Sequence, residues 1–320
     1  MTPPRLPQNR PMSLPTSSSR PVAGTLAGIH VLSLALNLPG PAALMRCQQM
    51  GARCTKLEAP PPPGADASDP MASYNPAAHA ALHAGVTVVH ANLKSPEGQD
   101  RLHALLAQTD VLLTSFRPSA SAKLGVDWAT LHARHPRLSL VEIVGAPGAR
   151  GDEPGHDLTY QAESGLVPGL DLPPSLFADM AGSVMASEAV LQALLQRATS
   201  GAGVHLQVAL SDASDYLALP RTWGLTQPDG AVGGAHAGYR VYPCADGRVA
   251  VAALEPHFAQ RLCEAAGVAA RMFDAGTHAG IAAWLRARTR AELDALARER
   301  DIPLHTLAPS VQGGDAHAAA

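Results

Sequence analysis

Apolar positions along the first two thirds of the chain fall into two rhythms that alternate. The run Ile29-His30-Val31-Leu32-Ser33-Leu34 is continuous enough to read as a buried strand. Asn37-Leu38-Pro39-Gly40-Pro41 reads as a turn, and Pro41 suits the first turn of a helix that runs to about residue 50. Gly51-Ala52 ends that helix, and Arg53-Cys54-Thr55-Lys56-Leu57 opens a second strand, which completes a β-α-β unit. Further strands are predicted at 86–89, 110–114, 138–144 and 205–210. Further helices are predicted at 76–83, 95–108, 128–134 and 184–197. Strands and helices that alternate in this way predict an α/β fold, a parallel sheet covered on both faces. Ligands of such sheets sit beyond the carboxyl ends of the strands, where the loop Gly145-Ala146-Pro147-Gly148 and the downstream His156 would lie.

The rhythm changes past residue 220. Two short runs at 239–242 and 249–253, joined through Ala245-Asp246-Gly247-Arg248, predict a hairpin with an Asp-Gly turn. Helices rich in Ala, Leu and Arg follow to about residue 300. The expected division is therefore a Rossmann-like large domain over 25–220 and a smaller α+β domain over 221–310. Residues 1–24 are rich in Pro, Ser and Arg, carry no acid and are expected to be disordered. Residues 311–320 are expected to fray.

Composition narrows the function. With 46% hydrophobic and 16% charged residues, 320 residues suffice for two packed cores. A formal net charge of -3 gives no electrostatic grip on nucleic acid or an anionic membrane, and 4% aromatics leave little for base stacking. No apolar run is long enough to cross a bilayer. Cys47, Cys54, Cys244 and Cys263 form no C-x-x-C pair, which points to reduced thiols in a cytoplasmic protein. The first β-α turn lacks G-x-G-x-x-G, so a plain tight turn explains it as well as a dinucleotide site. His79 and His83 stand four apart on a helix, a spacing that can bind metal. No third ligand is evident nearby, so they read as a solvated helix face and no metal site is expected.

The chemistry gathers in three places: Gly155-His156-Asp157-Leu158-Thr159-Tyr160, Leu176-Phe177-Ala178-Asp179, and Leu254-Glu255-Pro256-His257-Phe258. An imidazole and a carboxylate on opposite sides of a pocket are what a two-base proton exchange needs. Each residue also has a plainer reading. His156-Asp157 could be a surface pair, Asp179 a helix cap, and Glu255 a helix-start acid.

Together with these, Leu26-Ala27-Gly28-Ile29-His30-Val31-Leu32, Gly51-Ala52-Arg53-Cys54-Thr55-Lys56-Leu57-Glu58-Ala59-Pro60, Asn92-Leu93-Lys94-Ser95-Pro96-Glu97-Gly98, Phe116-Arg117-Pro118 and Lys123-Leu124-Gly125 stand in a telling order. The chain resembles the family III CoA-transferases, and within them the α-methylacyl-CoA racemases. The resemblance implies a Rossmann-like large domain, a small domain and an interlocked homodimer acting on an acyl-CoA. It implies His156 and Asp179 as the two bases, Glu255 orienting His156, and Asp157 assisting. Backbone amides near the helix after Asp179 would hold the enolate oxygen. Lys56, Arg117 and Lys123 would hold the CoA phosphates, with Gly145 and Gly148 lining the channel, and solvation is the plainer reading of each lysine. No metal or organic cofactor is implied beyond the CoA of the substrate. Two further readings stay open. One is a CoA-transferase with Asp179 as nucleophile. The other is a non-catalytic relative, motivated by the absence of Arg and Lys from 80–85, by Asn92 where the family has Asp, and by an end at Ala320 where relatives continue.

Overall fold

The computed structural model describes residues 24–65 and 67–309. Apart from Gly24, the segment expected to be disordered lies outside them, as does the tail at 311–320. The chain divides into two compact units, one ending at Ala218 and the other starting at Leu219.

The first unit alternates as β1 (His30–Ser33), α1 (Pro39–Gln49), β2 (Arg53–Glu58), α2 (Pro70–Tyr74), α3 (Pro76–Leu82), β3 (Thr87–His90), α4 (Pro96–Leu106) and β4 (Val111–Thr114). It continues with α5 (Pro118–Lys123), α6 (Trp128–Arg134), β5 (Ser139–Val144), α7 (Asp157–Glu163), α8 (Phe177–Ser200), β6 (His205–Ala209) and α9 (Leu210–Thr222), in which the unit boundary falls. The six strands are all parallel in the order β3-β2-β1-β4-β5-β6. This doubly wound order reverses direction between β1 and β4, and the crevice there is where such sheets take ligands.

Both faces of the central strands are buried, which explains their continuous apolar runs. Val31, Val111 and Val141 point to one face, against Leu44 and Cys47 of α1 and Ala186, Ala189 and Val190 of α8. Leu32, Leu112 and Leu140 point to the other, against Leu102 and Leu106 of α4 and Leu131 of α6. Small residues on α8 let it lie close to α1 and β5. Its end is set by Gly201, whose φ of 75° is a left-handed cap that glycine adopts at no steric cost. Ser95 starts α4 by accepting the Gly98 N–H at 3.1 Å. Ser95→Ala removes that cap and is expected to cost about 1 kcal/mol in a denaturant titration.

In the second unit, β7 (Tyr239–Cys244) and β8 (Gly247–Ala252) form the expected hairpin. Helices α10 (Pro256–Ala266), α11 (Ala275–Arg286) and α12 (Arg290–Arg300) follow, and β9 (Leu304–Leu307) returns antiparallel to β8. Leu262, Ile281, Leu285 and Leu293 pack with Val249 and Val251 as a separate core.

The structure departs from the pattern reading in identifiable ways. Helices α2 and α5 hold too few residues for a period to show. Helix α8 begins at Phe177 rather than near 184, so Asp179 lies within its first turn and not before it. Among the described residues no helix is long and apolar enough to cross a membrane. All four cysteines are free and buried, and burial pushes the thiols of Cys47 and Cys54 up to about 12, too high for thiolate chemistry.

Candidate active site

A cavity of about 190 Å³ opens at the carboxyl edge of the sheet, at the reversal between β1 and β4. Leu36 and Asn37 reach it from the end of β1, Ser115 and Arg117 from β4, and Val144 and Gly145 from β5. Helix α7 and its lead-in bring Gly155, His156 and Tyr160, and α8 brings Asp179. Of the broader depressions of about 780 Å³ in the second unit, the one at Arg240, Phe273 and His278 is lined by no carboxylate, and the one at Tyr242 and Arg248 holds Asp246, which is paired with Arg290. The narrower cavity brings an imidazole and a carboxylate together.

The cavity walls are held by backbone-directed bonds. His156 is extended at the start of α7, where Thr159 Oγ1 accepts its N–H at 3.0 Å and donates to its carbonyl at 2.7 Å. The His156 ring is thus left exposed to the cavity. Asp157, one residue on, turns inward and is only 5% exposed. Its Oδ1 accepts the Asp179 N–H at 3.0 Å, and its Oδ2 accepts from the Gln161 side-chain amide. Asp157 therefore joins α7 to the first turn of α8 and does not itself line the cavity, a position from which it would assist by holding the backbone of Asp179. Burial, and after it the nearby Asp157 charge, together raise the Asp179 carboxyl to about 7. Asp179 is poised to hold or release a proton near neutrality. The Asp179 amide, one of those expected to receive an enolate oxygen, is already spent on Asp157, and the Met180 N–H goes to the Leu176 carbonyl.

The expected phosphate contacts separate on inspection. Arg117 caps α5 and lines the cavity with an exposed side chain. Gly145 lines it too. Lys123 is exposed at the far end of α5, and Gly148 starts a short 3-10 turn outside the lining.

Lys56 is a correction. Its side chain is 0% exposed, with Nζ 2.6 Å from Asp69 Oδ2 and 2.9 Å from Glu58 Oε1. The third donor meets His83 Nε2 at 2.9 Å, while His83 Nδ1 lies 2.7 Å from the His79 carbonyl. That pattern puts the His83 proton on Nδ1 and leaves the ring neutral. Burial and the Lys56 charge both lower its affinity for a second proton. Asp69 and His83 hydrogen-bond the ammonium and Glu58 pairs with its charge, and enclosure among these three keeps it out of reach of a phosphate. Burial alone would push the Glu58 carboxyl up, but the hydrogen bond and charge of Lys56 outweigh it and hold it below the usual range.

His79 and His83 are not a solvated face either. With Glu58 and Asp69 they place four ligand-type atoms within 4.8 Å of one another, and the Lys56 ammonium supplies the cation there. The partners come from β2 and the loop before α2, too far along the chain for spacing to reveal them. The other Asp69 oxygen accepts the Asn37 N–H at 3.1 Å and the Met71 N–H at 3.0 Å. Asn37 has φ 63°, a left-handed conformation that asparagine tolerates better than most residues. Ser115 Oγ holds the neighbouring Leu36 N–H at 3.1 Å. The buried lysine thus fixes, through Asp69, the turn that floors the cavity.

Glu255 belongs to the second unit, where it precedes α10 with an exposed carboxylate. Sequence reasoning passed over Asn37, Gln161 and Tyr160. Tyr160 stands in the quoted Gly-His-Asp run, four residues after His156, and that helical spacing was the available signal.

Relatives of known name fall on both sides of one chemistry. The chain is 29% identical over 269 residues to a succinate–glutarate CoA-transferase of Agrobacterium fabrum, covering 77% of this chain and 67% of that one. It is 28% identical over 261 residues to the α-methylacyl-CoA racemase of Homo sapiens, covering 76% and 65%. The chain thus spans about two thirds of the length of each. A crystal structure of a hypothetical protein from Mycobacterium tuberculosis superposes with a TM-score of 0.73 at 25% identity, over 88% of this chain and 85% of that one. The model of CoA-transferase family III matches residues 26–314, and the chain belongs to that family.

Proposed function

We propose that the protein exchanges the α-proton of an acyl-CoA thioester, as a racemase or epimerase of a 2-methylacyl-CoA. One observation carries this reading: the His156 imidazole and the Asp179 carboxylate share one cavity at the sheet's reversal point, with Asp179 held near 7. A thioester α-proton is weakly acidic. One group takes it, the carbonyl oxygen gains charge as the enolate forms, and a second group returns a proton to the opposite face. A carboxyl that titrates near the working pH serves equally well as acid and base. Arg117 offers a planar guanidinium for a CoA phosphate at the mouth of the cavity. Glu255 enters this reading through the family resemblance, as does the homodimer. The thioester itself acidifies the proton, so no cofactor beyond the CoA of the substrate takes part.

CoA transfer is the second reading, supported by the CoA-transferase relative and by the access of Asp179 to the cavity. There the carboxylate attacks the thioester carbonyl and expels CoA thiolate, leaving a mixed anhydride. The thiolate then attacks the aspartyl carbonyl, giving an aspartyl-CoA thioester and the free acid.

Two measurements separate the readings. In deuterated water, the proposed racemase incorporates deuterium at the α-carbon of a 2-methylacyl-CoA, and His156→Ala and Asp179→Ala both abolish it. A transferase instead yields CoA trapped on Asp179 by mass spectrometry and tolerates His156→Ala. Binding of acyl-CoA with neither outcome would leave a CoA-binding relative without this catalysis.

A further inference from the structure

We propose that the Tyr160 hydroxyl is the hydrogen-bond donor that the cavity offers to the thioester carbonyl oxygen of the substrate. The inference rests on the acyl-CoA reading above but not on the choice between racemase and transferase, since an enolate and a tetrahedral intermediate both place negative charge on that oxygen.

The placement of this hydroxyl is built in. Tyr160 is 6% exposed, with its ring packed against the core between the sheet and α8. Its oxygen runs out between two glycines. A Cβ on Gly145 would lie 2.2 Å from the Tyr160 hydroxyl, and one on Gly155 would lie 2.4 Å from it. No real side chain survives such contacts, so glycine at both positions is what makes room. Neither position has the positive φ that would call for glycine on conformational grounds. Close approach to Tyr160 explains both.

Both glycines and Tyr160 line the same cavity as His156 and Asp179. Among the described residues no hydrogen bond is recorded to the hydroxyl, and its oxygen is not one of the sealed-off polar atoms without a partner, which leaves it open to a ligand in the cavity. Burial and the Asp179 charge both raise its pKa, so it keeps its proton and acts as a donor. The amide of Asp179 is occupied by Asp157, so it does not compete for the same oxygen.

The test is binding, read without turnover. In an Asp179→Asn background, calorimetry compares a 2-methylacyl-CoA with the matching S-alkyl-CoA thioether, which lacks the carbonyl oxygen. With Tyr160 present the thioester binds about fivefold or more tighter, the size of one hydrogen bond. Tyr160→Phe keeps the ring and abolishes the preference. Gly145→Ala, which drives a methyl into the hydroxyl, abolishes it as well, and the double variant loses nothing more. On the active enzyme, Tyr160→Phe lowers kcat by roughly 100-fold or more with KM within a few-fold. A thioester preference that persists in Tyr160→Phe overturns the assignment and leaves the acyl-CoA reading standing. Failure of both ligands to bind overturns the acyl-CoA reading, and this inference with it.

Discussion

Asp179→Asn yields a protein that is catalytically inert and more stable than the parent at pH 8. The inertness follows in either reaction, since asparagine can neither carry the exchanged proton nor attack a thioester. The stability gain follows from linkage. Aspartate ionises near 3.8 in the unfolded chain, whereas burial and Asp157 lift Asp179 to about 7 in the fold. Between those two values the folded chain binds a proton that the unfolded chain has released. Stability is therefore lost as pH rises from about 4 to about 7, and the loss is complete above 7. A shift of that size corresponds to on the order of 4 kcal/mol. Asparagine carries no charge to bury, and the Asp157 contact survives because it is made by the backbone N–H of residue 179. Urea titrations of parent and variant should coincide near pH 4 and separate progressively towards pH 8. Equal stabilities at pH 8 would mean that the cavity solvates this carboxylate as water does, and the proton-exchange reading would lose its main support.

Lys56→Met is expected to destabilise the first unit by roughly 3–5 kcal/mol, because it strands buried charge without a partner. Glu58 and Asp69 have side chains that are 0% exposed and share that one ammonium. The methionine fills the volume of the stem, so the loss reports the charge and not a cavity. The pH dependence distinguishes this from ordinary packing damage. Glu58 sits below its usual range in the parent, so its stabilisation is present at neutral pH and fades as pH falls through the folded value. In Lys56→Met the stranded carboxylates take up protons readily on acidification, and the gap between variant and parent narrows towards pH 4. Asp69 would also loosen its hold on the Asn37 N–H, and KM should rise in the material that remains folded. A gap below about 1 kcal/mol at pH 7 would show that water or neighbouring groups replace the ammonium.

Legibility in the chain followed the range of the signal. The β-α-β start, the hairpin at Asp246-Gly247 and the long α8 could be read from apolar spacing and from Gly and Pro punctuation. Helix α7 could not, because neither a proline nor a Ser, Thr, Asp or Asn cap marks its start, and yet His156 caps it and Asp157 and Tyr160 lie on it. Reading β5 correctly placed Gly145 at the edge of the sheet, but its role as a slot for Tyr160 depends on a side chain fifteen positions away in the sequence. Lys56 shows the opposite error. A lysine at the end of a strand, in a segment shared with a CoA-binding family, suggests a phosphate contact. Its actual partners, Asp69 and His83, come from a loop and a helix that the sheet folds over it.

Fold class, the order of strands and helices and the family itself were thus written in local pattern and motif, since periodicity and turn chemistry act over a few residues. The grouping of His156 with Asp179, the withdrawal of Lys56 into the interior and the threading of Tyr160 between two glycines arose when β1, β4 and β5 came side by side. Residues as far apart as Asn37 and Asp179 meet there because a parallel sheet joins strands through crossovers, and no pattern along the chain encodes which side chains such a crossover will bring into one cavity.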